Sequence, residues 1–254
     1  MKNLKKLPLI LTILSLVSFI TPVNAEVKVV TSIKPLHSLA SYLMDGVGKP
    51  DLIVDGYATP HGFSMKPSHA KMLQNADLIF WVGEDLENFL EKPLNSIAKK
   101  AEKIELMDIK GLNVLSFRER NIFDEHDDHD DHEGHAKKKK DDHDDYDGHA
   151  KKKKDEHDDH DDHEEHGHGE YDPHIWLDPI NAKVILKEMT EHLIENDSKN
   201  ASTYKSNLDK ALKDIDKLTM NVMTELNQSV SSIVFHDAYQ YFEKRFNVNI
   251  LGAF

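Results

Sequence analysis

The chain has 254 residues, no cysteine and a formal net charge of −14. The lack of cysteine excludes disulfides, thiolate zinc sites and a lipid-attachment cysteine, so imidazole and carboxylate are the strong metal ligands that remain. Most of the charge is local, because residues 124–170 hold 21 acidic residues and 8 lysines, a balance of −13. No basic stripe with interleaved aromatic residues occurs, which excludes nucleic acid as a partner.

Residues 1–25 are typical of a secretory signal peptide. The basic start MKNLKK precedes an apolar stretch that is too short to span a bilayer comfortably, and VNA ending at Ala25 suits cleavage. An uncleaved anchor is the alternative, but Pro22 interrupts the segment and no basic stop-transfer cluster follows. We therefore expect a mature protein that begins at residue 26 and is located in the periplasm.

Residues 27–107 alternate between strand and helix patterns. Short apolar runs predict strands over residues 27–32, 51–56, 77–83 and 102–107. Helical spacing predicts helices over residues 35–47, 68–76 and 86–99, with Pro35 and Ser68 at suitable starting positions. Four strands with intervening helices predict a parallel α/β lobe that is covered on both faces.

The segment 124–170 is a low-complexity insert that contains 11 of the 17 histidines. HAKKKKD and HDDHDDHE each occur twice, and aliphatic residues are nearly absent, so burial cannot offset the entropy of ordering the segment. We predict a disordered insert with weak, exchangeable sites for Zn²⁺, Ni²⁺ or Cu²⁺. The candidate ligands are His126, His129, His132, His135, His143, His149, His157, His160, His163, His166 and His168. A solvated linker without a metal role is the alternative.

Beyond the insert the pattern changes to longer helices. Apolar spacing predicts helices over residues 180–194 and 204–222. A strand over residues 232–237, a helix over 238–246 and a strand-like end over 247–254 follow. One strand, one helix and a second strand do not complete a lobe, so the sequence looks cut short within a second lobe.

Three histidines outside the insert occupy distinctive loops. His61 in YATPHGFSMKPS follows a predicted strand, His174 in YDPHIWLDP precedes a long helix, and His236 in VFHDAY ends a predicted strand. Ligands of open α/β sheets bind at the carboxyl ends of strands. One histidine alone is weak support for a site, and we interpret the other three non-insert histidines as structural: His37, His69 and His192.

Three motifs taken together resemble the solute-binding proteins of zinc and manganese ABC importers, and the zinc type most of all. They are TPHGFSMKPSHAKMLQNADLIFWVGEDLENFL, DPHIWLDPINA and VFHDAYQYFEKRFNVNILGAF. The resemblance implies two α/β lobes, each with a parallel-type sheet flanked by helices, joined by a long helix. We expect an N-terminal lobe over residues 26–178 that includes the insert, a linking helix over 179–200, and an incomplete, apparently truncated C-terminal lobe over 201–254.

The resemblance also implies a function, namely a monomeric, non-enzymatic protein that captures Zn²⁺ and delivers it to the membrane permease of an ABC importer. The implied ligands are His61 and His174 from the first lobe and His236 from the second. Three imidazoles leave a fourth position for water or a carboxylate. Some zinc-type relatives have glutamate where this chain has Pro60, so the fourth ligand is unassigned. Asp237 either orients a histidine ring or caps the next helix.

Other functions remain open at this point. A manganese-binding importer component is the first alternative, although manganese sites usually contain more oxygen ligands. A histidine-rich periplasmic zinc buffer would need only the insert. A zinc hydrolase would need a general base above a bound water, and the sequence contains no HExxH motif.

Overall fold

Two separate parallel sheets organise residues 26–118 and 170–254, which are the residues that the computed structural model describes. The four-stranded sheet has the order β2-β1-β3-β4 and the two-stranded sheet pairs β5 with β6. Every pairing between strands of these two sheets is parallel, which confirms the predicted α/β class. The strands are β1 (Val29–Thr31), β2 (Asp51–Leu52), β3 (Leu78–Trp81), β4 (Glu102–Glu105), β5 (Ser231–Val234) and β6 (Asn249–Ala253).

In the part of the chain that the structure describes, six α-helices accompany the strands, and each predicted helix is present. They are α1 (Lys34–Leu43), α2 (Pro67–Asn75), α3 (Glu84–Ser96), α4 (Pro179–Asn196), α5 (Ala201–Glu225) and α6 (Gln240–Phe246). Proline stands in the first turn of α1, α2 and α4, where its missing N–H leaves no helical bond unmade. Helix α1 ends earlier than predicted, because the chain turns through Gly46 at a φ of +79°.

The core lies between the four-stranded sheet and its helices. Leu78, Ile79 and Phe80 of β3 are fully buried, because helices cover both faces of the central strands. Helix α1 contributes Leu36, Ala40 and Leu43 at helical spacing, and α4 contributes Ile185, Leu186, Met189 and Leu193. Burial on both faces explains why β3 is an uninterrupted apolar run.

Glu87 is a fully buried carboxyl group in the first turn of α3. Its Oε2 accepts hydrogen bonds from the backbone N–H of Val82 at 2.8 Å and of Gly83 at 3.0 Å. These donors have no helical partners at the start of α3, so Glu87 closes the turn. Burial raises the pKa of Glu87 to about 7.

Helix α5 packs along α4 and α1. Tyr204 is fully buried and donates to Asp197 Oδ2 at 2.8 Å, and Asn207 donates to the carbonyl of Leu43 at 2.8 Å. The start of α5 is therefore fixed to the helices of the four-stranded sheet. The division into a lobe over 26–178, a linking helix over 179–200 and a lobe over 201–254 stays a prediction.

Two predicted segments lie outside the described residues. They are the signal peptide, residues 1–25, and the histidine-rich insert up to residue 169 with its eleven candidate ligands. Among the helices of residues 26–118 and 170–254, none has both the length and the apolar character that crossing a membrane requires.

Candidate metal centre

His61, His174 and His236 lie together although 113 and 62 residues separate them along the chain. One ring nitrogen of each lies within 4.8 Å of those of the other two. The Nε2 atoms of His174 and His236 are 3.3 Å apart. Two nitrogens bound tetrahedrally to one Zn²⁺ at 2.0–2.1 Å are roughly 3.3 Å apart, so the observed spacing suits a shared ion.

The loop after β2 carries His61. The backbone N–H of His61 donates to Thr59 Oγ1 at 3.3 Å, and Gly62 turns the chain at a φ of +71°, which L-residues with a side chain rarely adopt. Phe63 then fixes the loop by stacking on His69, with ring centroids 5.4 Å apart, and by contacting Phe89, with ring centroids 5.0 Å apart. The His61 side chain remains exposed, and the centroid of its ring lies 5.1 Å from the centroid of the His236 ring.

His174 is the buried member of the group, with 5% of its surface exposed. Its Nδ1 lies 2.7 Å from Oδ1 of Asp172, and the same oxygen accepts from the His174 backbone N–H at 2.9 Å. A carboxylate at Nδ1 keeps the proton on that nitrogen, so the lone pair of Nε2 is free for an ion. Asp172 thereby fixes both the tautomer and the orientation of the ring.

His236 follows β5 and is exposed. Loss of hydration, and then the nearness of His174, lowers the pKa of the His236 imidazole. A lowered pKa keeps the ring neutral at neutral pH, which is the form that binds a metal ion. The ring is therefore ready to act as a ligand.

Helix α6 holds the His236 segment against the His174 loop through the contacts that we call the α6 anchor, made by Gln240, Tyr241 and Arg245. The Tyr241 hydroxyl donates to the carbonyl of Asp172 at 2.7 Å and accepts from the backbone N–H of Leu115 at 3.1 Å. Gln240 donates to the carbonyl of Ser116 at 2.8 Å. Arg245 makes a two-pronged contact with Asp178 at 2.7 and 2.6 Å.

Asp237 has neither of the two roles that we considered from the sequence. Helix α6 begins at Gln240 with Tyr239 at its N-cap position, so Asp237 does not cap it. The carboxylate that orients a ring is Asp172, and Asp237 instead lies 3.9 Å from the guanidinium of Arg118. Partial burial raises the pKa of Asp237, and the charge of Arg118 opposes that shift.

Among the described residues, no carboxylate joins the three histidines in a common ligand group. The fourth position is therefore still unassigned. His37 and His69 lie outside the group, and their ring nitrogens contact the backbone of Pro50 and Lys66. His192 belongs to another cluster, with Glu102 and Glu195.

Sequence reasoning missed Asp172 and Tyr241 as residues that position the centre. The position of Asp172 two residues before His174 was a usable signal, because a short polar side chain easily reaches the backbone two residues on. Tyr241 gave no such signal, since its partners, Leu115 and Asp172, are 126 and 69 residues away.

The chain is similar to relatives named "High-affinity zinc uptake system protein ZnuA". The protein of Brucella abortus (strain 2308) is 44% identical over 227 residues, and that of Paracoccus denitrificans (strain Pd 1222) is 39% identical over 230 residues. Each match covers 89% of this chain and 66% of the relative, so the chain spans just under two thirds of their length.

Solved structures share the fold. One is described as "Crystal structure of 138-173 ZnuA deletion mutant plus zinc bound", with a TM-score of 0.64 and 19% identity, covering 89% of this chain and 69% of that one. Another is a manganese-bound periplasmic metal binding protein from Candidatus Liberibacter asiaticus, with a TM-score of 0.61 and 18% identity, covering 88% and 68%. At these identities the likeness concerns the fold alone.

The family profile described as "Zinc-uptake complex component A periplasmic" matches residues 29–253. This range runs from the start of β1 to the end of β6 and includes all three histidines of the candidate centre. The chain therefore belongs to the zinc-uptake complex component A family.

Proposed function

We propose that this protein captures Zn²⁺ in the periplasm through His61, His174 and His236 and delivers it to the membrane permease of an ABC importer. The observation that carries the proposal is the convergence of three ring nitrogens within 4.8 Å, from three separate loops. The names of the relatives, which describe high-affinity zinc uptake, support the same function. A monomer suffices, since one chain supplies all three ligands.

The donor set favours zinc over manganese. Imidazole nitrogens suit Zn²⁺, whereas Mn²⁺ sites usually contain more carboxylate and water oxygens. Three ligands leave one coordination position for water or a carboxylate, and such an open position also lets the ion leave. We propose a carrier rather than an enzyme, because hydrolysis would also require a general base within reach of a bound water.

The exposure of the three rings suggests a direction for loading. His174 is buried, whereas His61 and His236 are exposed. An incoming ion would therefore meet the two outer imidazoles and then reach the ring that Asp172 has already oriented. Release would follow the same path in reverse.

Metal uptake by cells tests the importer function. A strain that lacks the gene should accumulate radioactive zinc more slowly than its parent when external zinc is scarce, and uptake of radioactive manganese should be unchanged. Normal zinc uptake in the deletion strain, with only increased sensitivity to excess zinc, would instead identify a buffer. A selective loss of manganese uptake would contradict the choice of zinc.

Replacing Asp172 by asparagine should weaken zinc binding by about 10- to 100-fold, the usual cost of losing the partner of a metal-bound histidine. The amide keeps the shape but no longer holds the proton on Nδ1 of His174 by charge. Competition with a chelator of known affinity measures the change. Asp209→Asn, on the exposed face of α5, is the matched control and should bind as the parent does. Equal affinities for the two variants would rule out the role of Asp172.

Deleting residues 126–168 should reduce the number of zinc ions bound per chain without changing the affinity of the tightest site. The expectation follows from the sequence, because the deleted segment carries eleven histidines among its acidic residues. Metal analysis after equilibrium dialysis gives the stoichiometry, and chelator competition gives the tight affinity. An unchanged number of ions would remove the metal role of the insert and leave the linker interpretation.

A further inference from the structure

A second group of metal-ligating side chains joins strand β4 to helix α4. One ligand atom each from Glu102, His192 and Glu195 lies within 4.8 Å of the other two. Nδ1 of His192 is 2.8 Å from Oε1 of Glu102 and 3.8 Å from Oε2 of Glu195. No residue of this cluster belongs to the three-histidine centre, and the family assignment does not account for it.

The geometry around Nδ1 of His192 suits an ion better than a hydrogen bond. The atom is shielded from solvent and has no hydrogen-bond partner among the described residues, although Oε1 of Glu102 is only 2.8 Å away. A hydrogen bond needs the oxygen along the N–H direction, whereas ligands of one metal ion need only surround a common centre. The separations of 2.8 and 3.8 Å lie on either side of the roughly 3.3 Å expected between two ligands of tetrahedral Zn²⁺.

The other ring nitrogen of His192, Nε2, faces a carboxylate, as is usual for a histidine that binds a metal. Nε2 of His192 lies 3.3 Å from Oε1 of Glu188, one helical turn earlier on α4. A proton held on Nε2 by that carboxylate leaves the lone pair on Nδ1, directed at Glu102 and Glu195. Asp172 orients His174 of the main centre in the same way, through the other ring nitrogen.

The carboxylate of Glu102 is also fixed in place. Its Oε2 accepts from Nδ2 of Asn196 at 2.7 Å, and the same amide donates to the carbonyl of His192 at 2.9 Å. Oε1 of Glu102 is thus directed towards His192. A strand residue and a helix residue 90 positions apart therefore share one oriented set of ligands.

An acidic groove of about 800 Å³ runs along the edge strand β4 and reaches His192. His192 and Glu188 line it, together with four further carboxylates, from Glu84, Glu91, Glu105 and Asp108, and two lysines, Lys103 and Lys110. The excess of negative charge raises the local concentration of cations. The groove therefore attracts divalent ions to the side of the cluster formed by His192 and Glu188.

We propose that Glu102, His192 and Glu195 form a second, weaker binding site for a divalent transition-metal ion such as Zn²⁺. One nitrogen and two oxygen ligands suit this class of ion, and water would complete the coordination. The side chains of His192, Glu102 and Glu195 are 19%, 37% and 69% exposed, and only one of the three is an imidazole, so we expect weaker binding than at the three-histidine centre. A bound ion would tie the edge of the four-stranded sheet to α4.

Nuclear magnetic resonance of the imidazole nitrogens in the full chain tests the site, with ZnCl₂ as the probe. The His192 signals are identified by their absence in His192→Gln, and unchanged His174 signals show that this variant is folded. We expect Nδ1 of His192 to shift on addition of zinc after the main centre has filled. Glu102→Gln and Glu195→Gln should each raise the zinc concentration needed by at least about tenfold.

The matched control is Glu191→Gln, which removes an exposed carboxylate of the same helix outside the cluster and should leave the titration unchanged. His192 signals that stay fixed at millimolar zinc would overturn the proposal and identify the cluster as an ion pair. Shifts that occur at the same zinc concentration in both glutamine variants would overturn it too, because His192 would then bind zinc without the two carboxylates. The result is independent of whether the main centre serves import.

Discussion

His174→Ala lowers the affinity of the proposed centre for Zn²⁺ by roughly a hundredfold or more. The binding free energy of Zn²⁺ in structural sites is about 10–16 kcal/mol in total, so one of three or four ligands accounts for roughly 3 kcal/mol. Each 1.4 kcal/mol corresponds to about tenfold in affinity. His174 is the ligand whose loss is hardest to replace, because it is buried and already oriented by Asp172.

Chelator competition on the purified full chain measures this loss. His37→Ala is the matched control, since it removes a partly buried imidazole outside the candidate centre, next to the carbonyl of Pro50 and to Ser41. We expect the His37 variant to bind zinc as the parent does. Parental affinity in His174→Ala would exclude the three-histidine centre, and a similar loss in both variants would show that the effect comes from misfolding.

Arg245→Met destabilises the protein by about 3 kcal/mol, because it leaves a buried charge without its partner. Asp178 is only 2% exposed, and both of its carboxylate oxygens bind the Arg245 guanidinium, at 2.7 and 2.6 Å. The same carboxylate also caps α4 by accepting from the N–H of Ile180 at 2.9 Å. Methionine retains the packing of the side-chain stem but leaves Asp178 desolvated and unpaired.

Urea unfolding at neutral pH gives the change in the free energy of unfolding. Lys244→Met, at the exposed neighbouring position of α6, should change it little. Adding Asp178→Asn to Arg245→Met should restore part of the lost stability. The amide still caps α4 but has no charge that needs a partner. A double variant that is even less stable would show that lost packing, rather than an unpaired buried charge, destabilises Arg245→Met.

Periodicity and motif recognition predicted most of the architecture. The unbroken apolar run of β3 and the apolar stripe of α5 depend on local spacing, and the structure has a strand and a helix at those places. Strand β2 is only two residues long, much shorter than predicted, although the N–H groups of Ile53 and Val54 still donate to the carbonyls of Thr31 and Ser32. The three ligand candidates were found because each lies in a recognisable motif.

Long-range partners could not be predicted in this way. The pairs Asp178 with Arg245 and Glu102 with His192 are separated by 67 and 90 residues, and only tertiary packing brings them together. His192 was interpreted as structural because its helical neighbours are polar, and nothing near it in the sequence points to Glu102. Tyr241 likewise gains its role only when α6 docks on the loop of Asp172.

The α6 anchor has a kinetic consequence. Because Tyr241 and Arg245 fix His236 relative to His174 through protein atoms alone, the entropy of assembling the ligands is lost during folding rather than at each encounter with an ion. Capture by the proposed centre would then be limited by diffusion and by the loss of water from the cation, rather than by assembly of the ligands. Release of the ion would instead break several metal–nitrogen bonds in turn, so we expect dissociation to be the slow step of the proposed centre.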